Sequence, residues 1–513
     1  MSPRCITRRA ALAQSLGLTV AAGLGTLPQA IAAVPRRGGK VRVASLSSST
    51  ADTLDPARGA LSTDYARLYT IYSGLLEYDT KLAPRPALAE EILDEERTLW
   101  TFKLRRGVEF HDGKPLTAAD VVYSLLRHKD PATASKMKVV AEQFAEVRAS
   151  GPLEVQIRLT GPNADLPTML CDSHFLIIAD GTTDFRTANG TGPFRIKEFT
   201  PGVRTVATRN ERYWKSGRPY LDEVEIIGIP DESARVNALL SGDVHIVNAV
   251  NPRSTRRIRD SGSHAILPTP SGLYTDLVMR QDAVPTNNPA FVRAMQLLFD
   301  RELIRKALFR GFGTIANDHP IPPWHPYFNP ELPQRGHDPD RARWLLERAG
   351  LLGVRLPVYA SPAAEGSVDM ASVLQDAAGR IGLRLAVNRV PADGYWSRHW
   401  MKHPMSFGNT NPRPTADMLF TQLFRSDAEW NESGWRNRRF DELLLLARSA
   451  TDEGRRKMLY GEMQQLVHEH CGLAIPLFIN LIDAYDVRVQ GFGSIATGGL
   501  MGYQFADHVW LAR

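Results

Sequence analysis

The sequence predicts an α/β fold organised on an open, largely parallel sheet. Three observations carry this. Residues 356–359, 367–380 and 383–390 read as strand, helix and strand with short joints, and such a βαβ unit lays its two strands parallel in one sheet. Runs that alternate apolar and polar residues recur, at 40–45 and 153–159, as half-buried strands do. Between such runs lie helical stretches with apolar residues three and four apart, such as the pair within 289–309.

Each element has a local reason. Residues 68–78 carry Leu68, Ile71, Tyr72 and Leu75 on helical spacing, and 98–110 alternate as a strand. Asp112-Gly113 marks a turn. Thr117 stands three residues before Asp120 and just ahead of Val121, Val122, Leu125 and Leu126, the pattern of a capped helix start. A charged helical piece is expected over 131–147. His174 sits in an apolar stretch, 166–178, and reads as a packed side chain. Gly190 and Gly192 are expected to supply unusual backbone angles in the turn 189–194. That turn runs into a strand and not a helix, which excludes a phosphate cradle. A helix over 232–241 stops at Gly242, and a strand follows at 244–248. Asp338 caps a helix that ends at Gly350; two helices fill 440–470, and 474–482 is a buried strand. The G-x-G-x-x-A strings at 311–316 and 491–496 do not follow a strand and open a helix, so they are not nucleotide fingerprints.

Composition narrows the function. The length, 513 residues, suits two or three domains, and 43% hydrophobic with 23% charged residues is an ordinary globular balance. Net charge is +6, and basic residues are mixed with acids throughout, which argues against nucleic acid. Arg8-Arg9 precedes a mildly apolar run and a small-x-small site at Ala30-Ile31-Ala32, so residues 1–32 read as a cleaved export signal similar to the twin-arginine type. Ala11 and Ala13 depart from that pattern, and the general secretory route stays open. No later stretch is long and apolar enough for a transmembrane helix. Cys171 and Cys471 remain after cleavage and are expected as two buried thiols.

Three further stretches resemble one family in order: YSGLLEYD (72–79), LAEEI (88–92) and TFKLRRGVEFHDGKPLTAADVVYSL (101–125). They resemble the extracytoplasmic solute-binding proteins of peptide-type ABC importers, which take dipeptides, oligopeptides or nickel complexes. Leu54-Asp55-Pro56, the GTGPF turn at 190–194 and residues 210–229 continue the match. The resemblance implies a two-lobed, flytrap-like α/β fold with an extra subdomain in the first lobe. Its implied bounds are 33–57 with 187–275 and 484–513 for lobe I, 58–186 for the insertion and 276–483 for lobe II. It implies a monomer in the periplasm that passes a peptide or other small polar solute to an inner-membrane permease, with no cofactor.

The resemblance also points to the site. Ser47 and Ser48 lie in the loop that reaches the ligand in relatives, and Tyr274 lies where the chain crosses lobes. In residues 407–420, FGNTNPRPTADMLF, the expected ligand contacts are Gly408, Asn409, Thr410, Asn411 and Arg413. Asn409 takes the place of the aspartate that holds a peptide's α-amino group, and brings no charge. That departure leaves open a non-peptide ligand such as an opine or sugar conjugate. Arg398 and Arg413 offer guanidinium forks for a carboxylate or phosphate. Trp396 and Trp430 offer aromatic faces, as do the neighbouring Trp400 and Trp435. An enzyme is disfavoured: the chain has no G-x-S-x-G or H-E-x-x-H, and His468 and His470 point to different helix faces. His399 and His403 have chelating spacing for a nickel complex, but Pro404 disfavours a helical His403.

Overall fold

The computed structural model describes residues 34–46 and 49–512. The expected export signal, and Ser47 and Ser48, lie outside the described residues.

In the first lobe β1 (Lys40–Ser45) buries Val41 and Val43 against Ala66 of α1 (Ser62–Ile71). Asp64 starts α1 by accepting the N–H groups of Ala60 and Leu61, both at 3.1 Å. Parallel to β1 runs β2 (Glu223–Gly228), followed by α2 (Glu232–Leu240), whose cap Asp231 accepts from the Ala234 N–H at 2.7 Å. The 16-residue β3 (His264–Met279) then leaves this lobe and enters the second. There β4 (Arg355–Ala360), α3 (Ser367–Arg380) and β5 (Arg384–Arg389) form the expected βαβ unit, with β4 and β5 parallel over their full lengths. Against β3 lies β6 (Met405–Thr410), antiparallel, with Thr275 opposite Asn409, and α4 (Ala416–Leu423) follows. The return is β7 (Leu477–Asp486), antiparallel to β3.

A 12-stranded sheet results: ten strands run in the order β5-β4-β6-β3-β7, then Ile246–Val247, β1, β2, Arg204–Arg209 and Phe194–Thr200, while Gly313–Ile315 pairs with β7 and Leu473–Ala474 with β3 off that path. Within each lobe the βα-derived strands are parallel, but the joining ribbon is antiparallel, so the sheet is mixed rather than largely parallel. The reason is mechanical: two continuous strands span both lobes and must run in opposite directions to leave and return. A separate four-stranded sheet orders Ala89–Glu95, Leu99–Leu104, Glu154–Leu159 and Phe144–Gly151. Separate cores follow the lobes. Val41, Phe102 and Ile226 share one; Leu277, Val358 and Phe407 share another.

Three local expectations need correction. The helix expected over 68–78 ends at Ile71, and Leu76–Tyr78 is a strand paired with Pro84–Pro86. The helical piece over 131–147 shrinks to Lys138–Ala141, because Phe144 opens a strand whose Phe144 and Val147 fill the core. Gly190 and Gly192 do not have positive φ. A Cβ on either would overlap the Ile71 backbone, so close chain approach, not backbone angle, demands them. Other signals hold: Thr117 donates its N–H and its hydroxyl to Asp120 at 2.8 Å each, and His174 is packed, bonded to Asp172 and to the Gly59 carbonyl. Cys171 and Cys471 are buried free thiols.

Candidate functional site

The carboxyl ends of parallel strands in an α/β sheet are where ligands bind, and here those of both lobes meet. Leu46 beyond β1, Pro230 beyond β2, the loop 362–366 beyond β4, Arg389 at the end of β5 and Asn409 near the end of β6 line one cavity of about 830 Å³. Asn480 and Ile482 of β7 form its wall at the joining ribbon. That volume lies within the range of small-molecule sites, roughly 300–1,000 Å³. The lobes are closed around it. Arg253 of the first lobe meets Asp369 of the second at 3.2 Å on the cavity's lining, and the buried pair Asp165–Arg456 joins the lobes elsewhere at 2.8 Å.

The predicted residues divide between the two faces of the sheet, because successive strand residues point to opposite sides. Asn409 faces the cavity side: its Nδ2 donates to Thr275 Oγ1 at 2.9 Å and to the Tyr274 carbonyl at 3.2 Å. Gly408 and Thr410 belong to the other side. A Cβ at Gly408 would meet the carboxyls of Asp276 and Glu432, a buried acid pair in which burial and mutual repulsion hold Asp276 well above the usual carboxylate range. Tyr274 is buried on that side against Phe478. Arg413 keeps it company: its guanidinium lies near Tyr274 and, across the lobes, Tyr65, and 5.8 Å over the Trp430 ring. It donates to Gln422 Oε1 at 2.6 Å and to the carbonyl of the exposed Asn411 at 2.9 Å. Trp396 and Arg398 are exposed on a one-turn helix, Tyr395–Arg398. One expected cluster is therefore not one cluster; Asn409 reaches the cavity, and Tyr274, Thr410 and Arg413 are separated from it by the sheet.

The cavity's charges are mostly spoken for. Arg235 gives its fork to the carbonyls of Ile229, Pro230, Asn248 and Ala249. Glu232 accepts the Asn251 N–H at 3.1 Å, and Arg253 and Asp369 hold each other. Glu365 and Arg389 remain; both are exposed, and among the described residues neither carboxylate nor guanidinium has an ion-pair or hydrogen-bond partner. Partial loss of water on the cavity wall raises the Glu365 pKa, while the residue stays exposed. Asn480 Oδ1, by contrast, is a buried atom without a partner. Glu365 and Arg389 belong to no motif in the sequence; the one signal for them is their place at the carboxyl ends of the strands of the βαβ unit.

Metal chelation finds little support. The helix stops at Arg398, and His399 Nδ1 and His403 Nε2 lie 3.1 Å from each other, stacked on Tyr359. Among the described residues no group of three or more His, Cys, Asp or Glu could hold an ion.

Residues 83–432 match the family described as bacterial extracellular solute-binding proteins, family 5. This chain belongs to that family. As a family 5 protein it captures a solute for ABC import and is not an enzyme. It is 25% identical to the dipeptide-binding protein of Escherichia coli (strain K12), over 82% of this chain and 86% of that one. Its fold is similar to the periplasmic binding protein DppA from Helicobacter pylori in complex with the peptide STSA, with TM-score 0.78, 21% identity, and coverage of 93% and 99%. It is also similar to AgaA from A. tumefaciens R10 in complex with agropinic acid, with TM-score 0.76, 22% identity, and coverage of 93% and 99%. These likenesses establish the two-lobed fold of this family 5 protein.

Proposed function

We propose that this family 5 protein binds a short peptide or peptide-like zwitterion in the cavity of about 830 Å³ between its lobes. It then carries the solute, as a periplasmic monomer, to an inner-membrane ABC permease. The single observation that supports this reading is the pair of unspent opposite charges, Glu365 and Arg389, on the wall of one interlobe cavity. A guanidinium fork matches a carboxylate and a carboxylate matches an ammonium, so a zwitterion would answer both of these exposed charges at once. The binding of peptides by the Escherichia coli and Helicobacter pylori relatives fits the same chemistry.

A second reading keeps the anionic end and drops the peptide. Asn409 spends its amide donors on Thr275 and Tyr274, leaving a neutral carbonyl toward the solute. An opine-like compound would suit that acceptor, and AgaA shows such a ligand on this fold.

The test is native mass spectrometry of protein purified from the periplasm without refolding, followed by denaturation and identification of the released molecule. A released peptide or amino-acid conjugate is the expected result. A released metal complex, or a solute without a carboxylate, would overturn the proposal.

A further inference from the structure

We infer that Asp276 and Glu432 share one proton and form a proton-operated catch, which fastens residues 424–437, Trp430 among them, to the joining ribbon and releases them when the proton leaves. The inference does not depend on which solute the protein binds.

The geometry is that of two acids forced together. Asp276 of β3 stands opposite Gly408 of β6, and Asp276 and Glu432 are both buried. A Cβ on Gly408 would lie 2.7 Å from Asp276 Oδ1 and 2.7 Å from Glu432 Oε1, so the two carboxyls converge where β6 carries no side chain. Only glycine leaves them that room. Without a proton between them, neither oxygen of Asp276 has a hydrogen-bond partner. The nearby cation, Arg280, meets Glu432 only at its carbonyl, at 3.4 Å, and gives its charge to Asp282.

Two carboxylates buried against each other cannot both stay charged, and one shared proton removes the repulsion. Glu432 Oε1 accepts from Trp400 Nε1 at 2.9 Å, so Glu432 is equipped to carry the charge and Asp276 to carry the proton. Burial and the neighbouring Glu432 accordingly hold Asp276 well above the usual carboxylate range. The other titratable groups around the pair, Tyr274, Tyr395 and Cys471, are kept neutral by burial.

What the pair fastens follows from the chain. Glu432 lies between α4 and the helix Arg438–Ser449, in a segment also tied down by the Gln281 N–H, which donates to the Ser433 carbonyl at 2.7 Å. Two residues before Glu432, the exposed Trp430 lies over the Arg413 guanidinium. Loss of the shared proton to solvent leaves two buried anions. Asp276 is fixed within a sheet, so the segment bearing Glu432 is the part that yields. The folded pair keeps a proton that the unfolded chain releases from about pH 4 upward, so stability from it falls as pH rises until that proton leaves.

Infrared spectra and fluorine NMR of wild type carrying 5-fluorotryptophan, from about pH 5 to about pH 10, test this, with the Trp430 resonance assigned by Trp430→Phe. At neutral pH one protonated-carboxyl band is expected that Asp276→Asn lacks, because the asparagine amide donates to Glu432 without titrating. As pH rises, that band should vanish and the Trp430 resonance shift at one common midpoint, while in Asp276→Asn the resonance stays in place. Glu432→Gln, which also keeps one donor between the two groups, serves where melting curves show Asp276→Asn unfolded. The same carboxyl bands in wild type and variant would overturn the shared proton. A band that persists across the range, or a Trp430 resonance that ignores its loss or shifts equally in the variant, would overturn the catch.

Discussion

Asn409 shows how one side chain can be read correctly by place and incompletely by chemistry. Its position opposite Thr275 puts it on the cavity wall. Its amide, however, is committed as a donor to Thr275 and to the Tyr274 carbonyl. Restoring an acid there would set a carboxylate against that carbonyl oxygen and leave Thr275 without its donor. Asn409→Asp is therefore expected to lose roughly 1–3 kcal/mol of stability at neutral pH, the cost of buried polar groups left unpaired, without gaining peptide affinity. Urea melts and calorimetry on the variant check both parts; a gain in affinity for free-amine peptides would return the amine contact to residue 409. Gly190 and Gly192 teach a similar lesson. Their identity was legible as a constraint, but the constraint is the Ile71 backbone from a distant part of the chain, which no local pattern reveals.

Among the elements, β7 carries a cost that its apolar sequence hides. Asp483 is fully buried on this strand; its Oδ2 accepts the Leu500 N–H at 2.6 Å, while Oδ1 has no partner. Burial pushes its pKa up to about 7. A raised carboxyl pKa means the folded state keeps a proton that the unfolded chain releases from about pH 4 upward. Stability from this group therefore falls as pH rises from about 4 to about 7, and the full penalty persists above that. Asp483→Asn keeps the oxygen acceptor and removes the charge. At pH 8 it should stabilise the protein, by at most about 4 kcal/mol at 1.36 kcal/mol per pKa unit, and flatten the acid side of the profile. Melting temperatures of both proteins from pH 4 to 8 decide it; parallel profiles would refute the assignment. The βαβ unit was legible because 3.6- and 2-residue periodicities alternate there without interruption. Residues 131–147 were not, because their charged residues suit a helix while Phe144 and Val147 are claimed by a core on the other side of the subdomain.

For the whole molecule, two ion pairs among the described residues join the lobes. Arg253–Asp369 is exposed and worth little alone. Asp165–Arg456 is buried, and Arg456 also donates to the Ala447 carbonyl at 3.1 Å. Removing one member of a buried pair typically costs about 3–5 kcal/mol, because the other charge is left unanswered. Asp165→Ala should thus shift the ligand-free protein toward an open form, visible as a larger radius of gyration in X-ray scattering. Solute affinity should fall by about 100-fold, since binding would have to supply the closure energy. An unchanged scattering profile with unchanged affinity would show that this pair does not govern closure.

By itself, the sequence determined the family, the α/β class, the βαβ unit, the capped helix after Thr117 and the stretch that bears Asn409. These are written in short-range periodicity, turn chemistry and long contiguous motifs. Only the tertiary structure decided which side of the sheet each candidate faces, and so parted Asn409 from Thr410 and Arg413. It also decided that Glu365 and Arg389 are the unspent charges. Whether a charge is spent depends on partners brought from far along the chain, and a one-residue step in a strand exchanges one face for the other; neither is visible in linear spacing.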